Sequence, residues 1–195
     1  MSKLRFVGYQ NKKESRKELR ELYNTAFPKE EQLPFWMIKA RLKKGLGELY
    51  GIYDDEEFVG LVHNTFYKDM VYIFYFAIHE SKRGKGYGGR VLQTLQKKYS
   101  DKRIFLCIEA MDPEASNYDQ RVKRKAFYEK NGFKMLPFSI QEGTMEYDCM
   151  ALEGRRPEVT ARECESLVKH FLGPFMKIWI VIQKMDSLKN GIKKR

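Results

Sequence analysis

Within the stretch from Glu80 to Tyr99, ESKRGKGYGGRVLQTLQKKY, four glycines lie among the cations Arg83, Lys85 and Arg90, where an amphipathic segment begins. Glycine loses more conformational freedom on folding than other residues, so such a cluster indicates that the backbone must come very close to something. The first amide N–H groups of a helix lack partners and carry partial positive charge, which attracts phosphate. We therefore predict that this loop binds a phosphorylated ligand. The residues concerned are Arg83, Gly84, Lys85, Gly86, Tyr87, Gly88 and Gly89.

Several kinds of glycine loop bind phosphate. A Walker loop requires Gly-Lys-Ser/Thr, which this sequence lacks. The dinucleotide string G-x-G-x-x-G is present at Gly84, Gly86 and Gly89, and Glu109 follows about 20 residues later, where a ribose-binding acid would lie. The segments before the loop predict an antiparallel meander instead of a βαβ unit, which disfavours this alternative. A glycine-rich turn without a ligand is the remaining alternative.

Two stretches resemble one known family. FAIHESKRGKGYGGRVL is similar to the acyl-CoA-binding motif of the GNAT superfamily of N-acetyltransferases, whose signature [RQ]-x-x-G-x-[GA] falls here on Arg83, Gly86 and Gly88. AFYEKNGF (Ala126–Phe133) looks like the second hallmark, a tyrosine on a helix followed four residues later by Gly-Phe. The resemblance covers roughly residues 1–152.

The resemblance implies a use of acetyl-CoA. Backbone amides from Arg83 to Gly89 would hold the diphosphate, and the backbone of Phe76, Ala77 and Ile78 would pair with the pantetheine arm like an added strand. Tyr128 would act as the general acid that protonates the departing sulfur. The expected activity is transfer of an acetyl group to a primary amine by direct attack in a ternary complex.

The base that removes the proton of the amine is less defined. Glu109 ends a predicted strand, where a carboxylate would accept the proton, directly or through water, or attract the amine; a solvated acid is the alternative. His79 is a second candidate base, and Cys107, on the same strand face as Glu109, leaves open a covalent acetyl-cysteine route.

Two arginines depart from the pattern of the family. Arg121 and Arg124 stand seven and four residues before the tyrosine, where many members carry asparagine and alanine. Guanidinium groups suit phosphate, so Arg121 or Arg124 would reach the 3′-phosphate of CoA or line the path of an anionic acceptor. A solvated helix face is the alternative.

The periodicity of the chain predicts the elements that position these residues. A short strand and two helices come first, then a meander of three strands, the glycine loop with its helix, a strand parallel to the last one, the tyrosine helix and two further strands. The expected fold class is α/β of the α+β type, a GNAT-like mixed, mostly antiparallel sheet with a splayed parallel pair and flanking helices. We expect an acetyltransferase domain at 1–153 and an extension at 154–195 that packs on it or at a dimer interface.

The composition of the chain limits its expected partners, metal content and cellular compartment. The formal net charge of +11 favours acidic partners, so a basic nucleic-acid-binding module is the alternative function, although no known RNA-binding motif occurs. Three cysteines without a C-x-x-C pair predict neither a metal site nor disulfides, which fits the cytoplasm. No segment is apolar enough to predict a membrane span. The expected partner is a small-molecule or protein amine, and a homodimer stays open.

Overall fold

The computed structural model describes residues 3–9, 15–142, 145–155 and 157–175. Within these ranges the chain forms seven strands and five α-helices. Their order is β1 (Arg5–Gly8), α1 (Ser15–Ala26), α2 (Phe35–Lys43), β2 (Gly47–Asp54), β3 (Glu57–Tyr67), β4 (Met70–Ile78), α3 (Tyr87–Lys98), β5 (Arg103–Glu109), α4 (Tyr118–Lys130), β6 (Phe133–Glu142), β7 (Met145–Leu152) and α5 (Ala161–Leu172). Short 3-10 turns lie at Lys29–Glu31, Glu80–Lys82 and Gly173–Phe175.

The chain divides into two compact units. The first unit comprises Met1–Phe66 and Val71–Asp101, and the second comprises Tyr67–Met70 and Lys102–Arg195. The first unit therefore holds β1 to β4 with α1, α2 and α3. The second unit holds β5, β6 and β7 with α4 and α5. A division between a catalytic domain at 1–153 and an extension stays a prediction.

The sheet of the first unit follows chain order, β1-β2-β3-β4. β1 pairs antiparallel with β2, and β2 pairs antiparallel with β3 up to the register pair Asp54 and Glu57. The two residues between this pair, Asp55 and Glu56, form a tight hairpin turn in which Asp55 has a φ of 53°. Aspartate tolerates this left-handed conformation better than most residues, which suits a two-residue hairpin.

Helices cover both faces of this first sheet. The ring of His63 on β3 stacks near Tyr75 of β4, with 5.9 Å between ring centroids, and Tyr75 contacts Tyr23 of α1 at 5.0 Å. Asn64, the next residue of β3, points to the other face, where its side-chain amide donates to the hydroxyl of Tyr99 after α3 at 3.3 Å. Because successive side chains alternate between faces, the middle of β3 is buried on both sides.

Helical spacing in the sequence predicts one apolar face on α1 and one on α3; Ala26 of α1 is half-buried, and the other residues of these faces are buried. They are Leu19, Leu22 and Tyr23 on α1, and Val91, Leu92 and Leu95 on α3 with Tyr99 after it. Burying an aliphatic side chain of this kind contributes about 1.5–3 kcal/mol. The 3.6-residue period read from the sequence therefore predicts the inward faces of these helices correctly.

The second unit contains an antiparallel sheet of order β5-β7-β6. Cys107 of β5 lies directly opposite Cys149 of β7. The pairing of β6 with β7 is shifted between Met135 and Ser139, around Pro137, which cannot donate a ladder hydrogen bond. Both strands were predicted, although the connection between them, residues 143–144, lies outside the described residues.

One buried arginine ties the second unit together. Arg103, only 6% exposed, donates to both carboxylate oxygens of Asp69 at 2.7 and 2.8 Å, and to Glu163 of α5 at 2.8 Å. Its hydrogen bonds hold the pKa of Glu163 at about 2. Glu163 also forms a capping box with Thr160 at the start of α5. The helix predicted in this region thus begins at a side-chain signal present in the sequence.

The architecture agrees with the predicted fold class: helices flank antiparallel strands, in the predicted order. No helix in the described ranges has the length and apolar character needed to cross a membrane. The apolar segment at 178–182 lies outside the described residues, and so does the remainder of the C-terminal extension after residue 175.

Candidate functional site

The glycine loop of the first unit adopts a backbone that requires glycine. Gly84 and Gly86 have φ values of 75° and 79°, in the left-handed region, and Gly86 directly precedes α3 as its N-cap. A Cβ atom built on either residue would meet no atom within 4 Å. The glycines are therefore needed for the backbone conformation, and they leave open space on the outer side of the loop.

This loop presents a run of backbone N–H groups that need an acceptor. Arg90 is the first residue after the loop whose N–H bonds back to it, donating to the carbonyl of Gly86 at 3.2 Å. Of the described residues, none provides a backbone acceptor for the N–H groups from Gly84 to Gly89. The positive end of α3 adds to these dipoles. The arrangement fits an anion with several oxygens, such as a diphosphate.

Two cations frame the loop. Arg83 is held in place because its Nε donates to the carbonyl of Ile78, the last residue of β4, at 3.2 Å. Lys85 is exposed to solvent. The last three residues of β4, Phe76–Ile78, are half-buried, whereas the strand is buried from Met70 to Ile73. The predicted pantetheine-binding segment thus lies at the partly open end of the strand that leads to the loop.

The second unit places Glu109 in a cationic pocket. Its Oε1 accepts a hydrogen bond from Asn117 at 2.9 Å and lies 3.6 Å from Arg121, while its Oε2 pairs with Arg124. Burial by itself raises the pKa of this carboxyl, but the hydrogen bond from Asn117 and the charges of Arg124 and Arg121 outweigh burial. The pKa of Glu109 therefore lies below its usual value, and the group is ionised at neutral pH.

Arg121 fastens the start of α4 to the end of β5. Its Nε donates to Asn117 at 2.8 Å, its Nη1 donates to the carbonyl of Ala110 at 2.6 Å, and its Nη2 lies beside Glu109. Each nitrogen of the guanidinium thus has a partner within the second unit. A contact between Arg121 and a cofactor stays a prediction, while Arg124, whose side chain is 44% exposed, retains accessible surface.

Tyr128 lies on α4 in the same unit, one helical turn after Arg124. Its ring packs edge-to-face against Phe127 and Phe133, with centroids 5.1 and 5.9 Å apart. Burial raises the pKa of its hydroxyl to about 12, although the charge of Arg124 opposes this shift. The hydroxyl therefore stays protonated near neutral pH, as a general acid requires.

The two alternative nucleophile or base candidates have local partners. The His79 ring nitrogen Nδ1 is 2.9 Å from the hydroxyl of Ser81, at the surface of the first unit. The sulfur of Cys107 is 3.2 Å from that of Cys149, and a hydrogen bond with Cys149, together with burial, raises the pKa of Cys164. His79 and Cys107 both stay alternatives to Glu109.

Two carboxylates that contact the glycine loop were missed by the sequence analysis. Asp54 and Glu57, the last register pair of the β2–β3 hairpin, touch Tyr87 and Lys82, on the two sides of the loop. The sequence signal was the acidic run Asp54–Glu57, which by itself predicts only a turn. Its contact with a loop about thirty residues later follows from the packing of the first unit.

The comparisons with known proteins agree with the geometry of the loop. Residues 45–135 match the family model "Acetyltransferase (GNAT) domain". This range includes β2 to β5, the glycine loop, all of α4 and the start of β6. The comparison with curated proteins gives no match. The resemblance to the GNAT superfamily predicted from the sequence is confirmed over this part of the chain.

Solved structures with the same fold extend over most of the chain. A putative GNAT-family acetyltransferase from Bacteroides thetaiotaomicron is 21% identical, with a TM-score of 0.67 over 87% of this chain and 94% of that one. An aminoglycoside 6′-N-acetyltransferase complexed with coenzyme A is 17% identical (TM-score 0.60, coverage 80% and 99%). A chimeric spermidine N-acetyltransferase from Vibrio cholerae and hSSAT is 15% identical (TM-score 0.55, coverage 77% and 95%). These similarities establish the GNAT fold.

Proposed function

We propose that this chain, which carries a GNAT acetyltransferase domain at residues 45–135, transfers the acetyl group of acetyl-CoA to a primary amine. The observation that carries the proposal is the loop after β4. Six consecutive N–H groups from Gly84 to Gly89 face no backbone acceptor of the described residues, and two left-handed glycines keep the space beside them open. A diphosphate is the anion that matches such a cradle within an acetyltransferase domain.

The residues of this chain fit acetyl-CoA. The amides from Gly84 to Gly89 hold the diphosphate, Arg83 and Lys85 add positive charge, and the end of β4 offers backbone groups to the pantetheine arm. The cofactor supplies an acetyl group activated as a thioester. The hydroxyl of Tyr128 donates its proton to the departing sulfur, for which its high pKa keeps the proton available. The proton that the attacking nitrogen loses as the amide forms restores the Tyr128 hydroxyl through water.

The environment of Glu109 argues against a role as the general base. Its salt bridges keep it ionised, and a carboxylate whose pKa is lowered accepts protons weakly. We therefore assign Glu109 to the orientation of the amine, as a hydrogen-bond acceptor, in a transfer that proceeds by direct attack in a ternary complex. Arg121 and Arg124 lower the pKa of this carboxyl group and so make the carboxylate a weaker base.

The acceptor belongs to the class of amines. Enzymes that share the fold include one named for an aminoglycoside and one named for spermidine, and both acceptors present cationic amino groups. Nucleic-acid binding, suggested by the net charge of +11, is the second candidate function. A cytoplasmic location and a homodimer stay predictions.

Ligand-dependent stabilisation and thiol release test the function. Acetyl-CoA and CoA are expected to raise the melting temperature, since a ligand present at 100 times its dissociation constant stabilises by about 2.7 kcal/mol. NAD and RNA oligonucleotides are expected to give no shift. A panel of polyamines, aminoglycosides and peptide amines then identifies the acceptor by release of free CoA. Stabilisation by RNA and not by CoA would refute the proposed acetyltransferase activity.

Replacing Glu109 with glutamine tests its assignment. We expect the KM for the amine to rise by about tenfold to a hundredfold, because a charge-assisted contact contributes about 1.5–3 kcal/mol, while the fall of kcat/KM at low pH persists. The decrease of kcat/KM at low pH is caused by protonation of the amine itself. Only the neutral amine attacks the thioester, so activity falls as the pH falls. The measurement is the pH profile of kcat/KM for the acceptor.

Glu129→Gln is the matched control for this substitution. Glu129 lies on α4 and pairs with Lys125 at 3.6 Å at the surface, where ion pairs contribute little. Its kinetics should equal those of the unchanged protein. A loss of kcat of about a hundredfold with Glu109→Gln, at an unchanged KM for the amine, would instead identify Glu109 as the general base.

A further inference from the structure

The hairpin between β2 and β3 brings two carboxylates to the glycine loop. Asp54 and Glu57 are directly opposite in the register of the two strands. Side chains of opposed residues lie on the same face of a sheet. The intervening turn, Asp55 and Glu56, is too short to let the pair separate. Both carboxylates are therefore presented together at one end of the first sheet.

These carboxylates contact the chain on both sides of the loop. The hydroxyl of Tyr87, the first residue of α3, donates to Oδ2 of Asp54 at 2.7 Å, and Nη1 of Arg90 is 3.8 Å from the same oxygen. The guanidinium of Arg90 also lies over the Tyr87 ring, 5.3 Å from its centroid. Before the loop, Lys82 forms an ion pair with Glu57.

The contacts of Asp54 are sheltered from water. The side chain of Asp54 is 18% exposed and that of Arg90 is 21% exposed. By comparison, the adjacent ion pair of the same turn, between Arg5 and Glu56, is 39% and 87% exposed. Electrostatic contacts that are partly removed from water are screened less, so the contacts of Asp54 hold the loop more firmly than those of Glu56 could.

Holding the glycine loop in one conformation affects the affinity of the loop for an anion. A loop with four glycines has many conformations, and ordering it upon binding would reduce affinity. A negative charge near the loop, on the other hand, repels a diphosphate. The two effects have opposite signs, so removal of the Asp54 carboxylate decides between them: repulsion alone predicts tighter binding, and loss of order predicts weaker binding.

We propose that Asp54 is a positioning residue for the diphosphate-binding loop, acting through the Tyr87 hydroxyl and Arg90. The proposal rests on the proposed function, because it concerns the loop that holds acetyl-CoA. Asp54 itself does not touch the cofactor. It holds the start of α3 so that the N–H groups from Gly84 to Gly89 keep the directions that a diphosphate requires.

Steady-state kinetics of Asp54→Ala test the proposal. We expect the KM for acetyl-CoA to rise about tenfold, the effect of losing a hydrogen bond to a charged group, with kcat and the KM for the amine unchanged. Tyr87→Phe, which removes only the hydroxyl, should show the same direction of change. Asp54→Asn keeps an acceptor for that hydroxyl, so the KM for acetyl-CoA of this variant should stay within about twofold of that of the unchanged protein.

Two comparisons separate positioning from a general loss of structure. Glu56→Gln, in the same turn, should leave every kinetic parameter unchanged. S-acetylpantetheine, a donor without the diphosphate, should react with the same kcat/KM in Asp54→Ala as in the unchanged protein. An equal or lower KM for acetyl-CoA in Asp54→Ala, or an equal loss with S-acetylpantetheine, overturns the proposal. Absence of CoA binding by the unchanged protein, seen as no thermal shift, overturns the proposed function itself.

Discussion

Tyr128→Phe is expected to lower kcat for acetyl transfer by about 10²–10⁴-fold, the range typical of a lost general acid, with little change in the KM for acetyl-CoA. The substitution removes one hydroxyl and keeps the ring, so the edge-to-face contacts with Phe127 and Phe133 persist. The sulfur then departs without a proton donor from the protein. The measurement is kcat with a slow acceptor amine, for which chemistry limits the rate.

The state of the hydroxyl supports this expectation. Burial raises the pKa of Tyr128 to about 12, so the proton is present throughout the pH range of an ordinary assay. Burial and the charge of Arg124 set this pKa, with no contribution from a hydrogen bond among the described residues. Arg124, whose charge opposes the rise in pKa, favours the phenolate formed when the proton leaves.

Tyr118→Phe provides the control for this experiment. Tyr118 begins the same helix, and its side chain is half-buried. Loss of its hydroxyl should leave kcat unchanged. Full kcat in Tyr128→Phe, under conditions in which the chemical step limits turnover, would show that another group protonates the sulfur.

Gly86→Val is expected to raise the KM for acetyl-CoA by about tenfold to a hundredfold. Gly86 has a φ of 79°, a conformation that costs an L-residue roughly 1–2 kcal/mol and a β-branched one more. The new side chain would also extend into the open space beside the loop amides. Loss of one charge-assisted hydrogen bond to phosphate, at about 1.5–3 kcal/mol, accounts for this range.

Gly45→Val is the control that distinguishes backbone strain from damage to the diphosphate-binding loop in Gly86→Val. Gly45 follows α2, has a φ of 69°, and likewise has open space where its Cβ would lie. Both variants should lose similar stability in urea unfolding, because both place valine in the left-handed region. Only Gly86→Val should lose affinity for acetyl-CoA. A KM that rises equally in both variants would point to a global effect of destabilisation.

The sequence by itself determined the loop and the elements around it. The glycines and cations from Arg83 to Gly89 are consecutive, so their chemistry is visible without knowledge of the fold. The apolar faces of α1 and α3 follow from helical period, and the hairpin at Asp54–Glu57 follows from its short polar turn. The physical reason is that backbone conformation and amphipathic period depend on near neighbours in the chain.

The tertiary structure decided which charges meet. Nothing local in the sequence pairs Asp54 with Tyr87, 33 residues later, or brings Arg124 to Glu109, 15 residues earlier. These contacts depend on strand register and on the packing of helices within each unit. They determine whether a carboxylate acts as a base, an anchor or a positioning group, because the pKa and mobility of a charged side chain depend on the partners that folding brings to it.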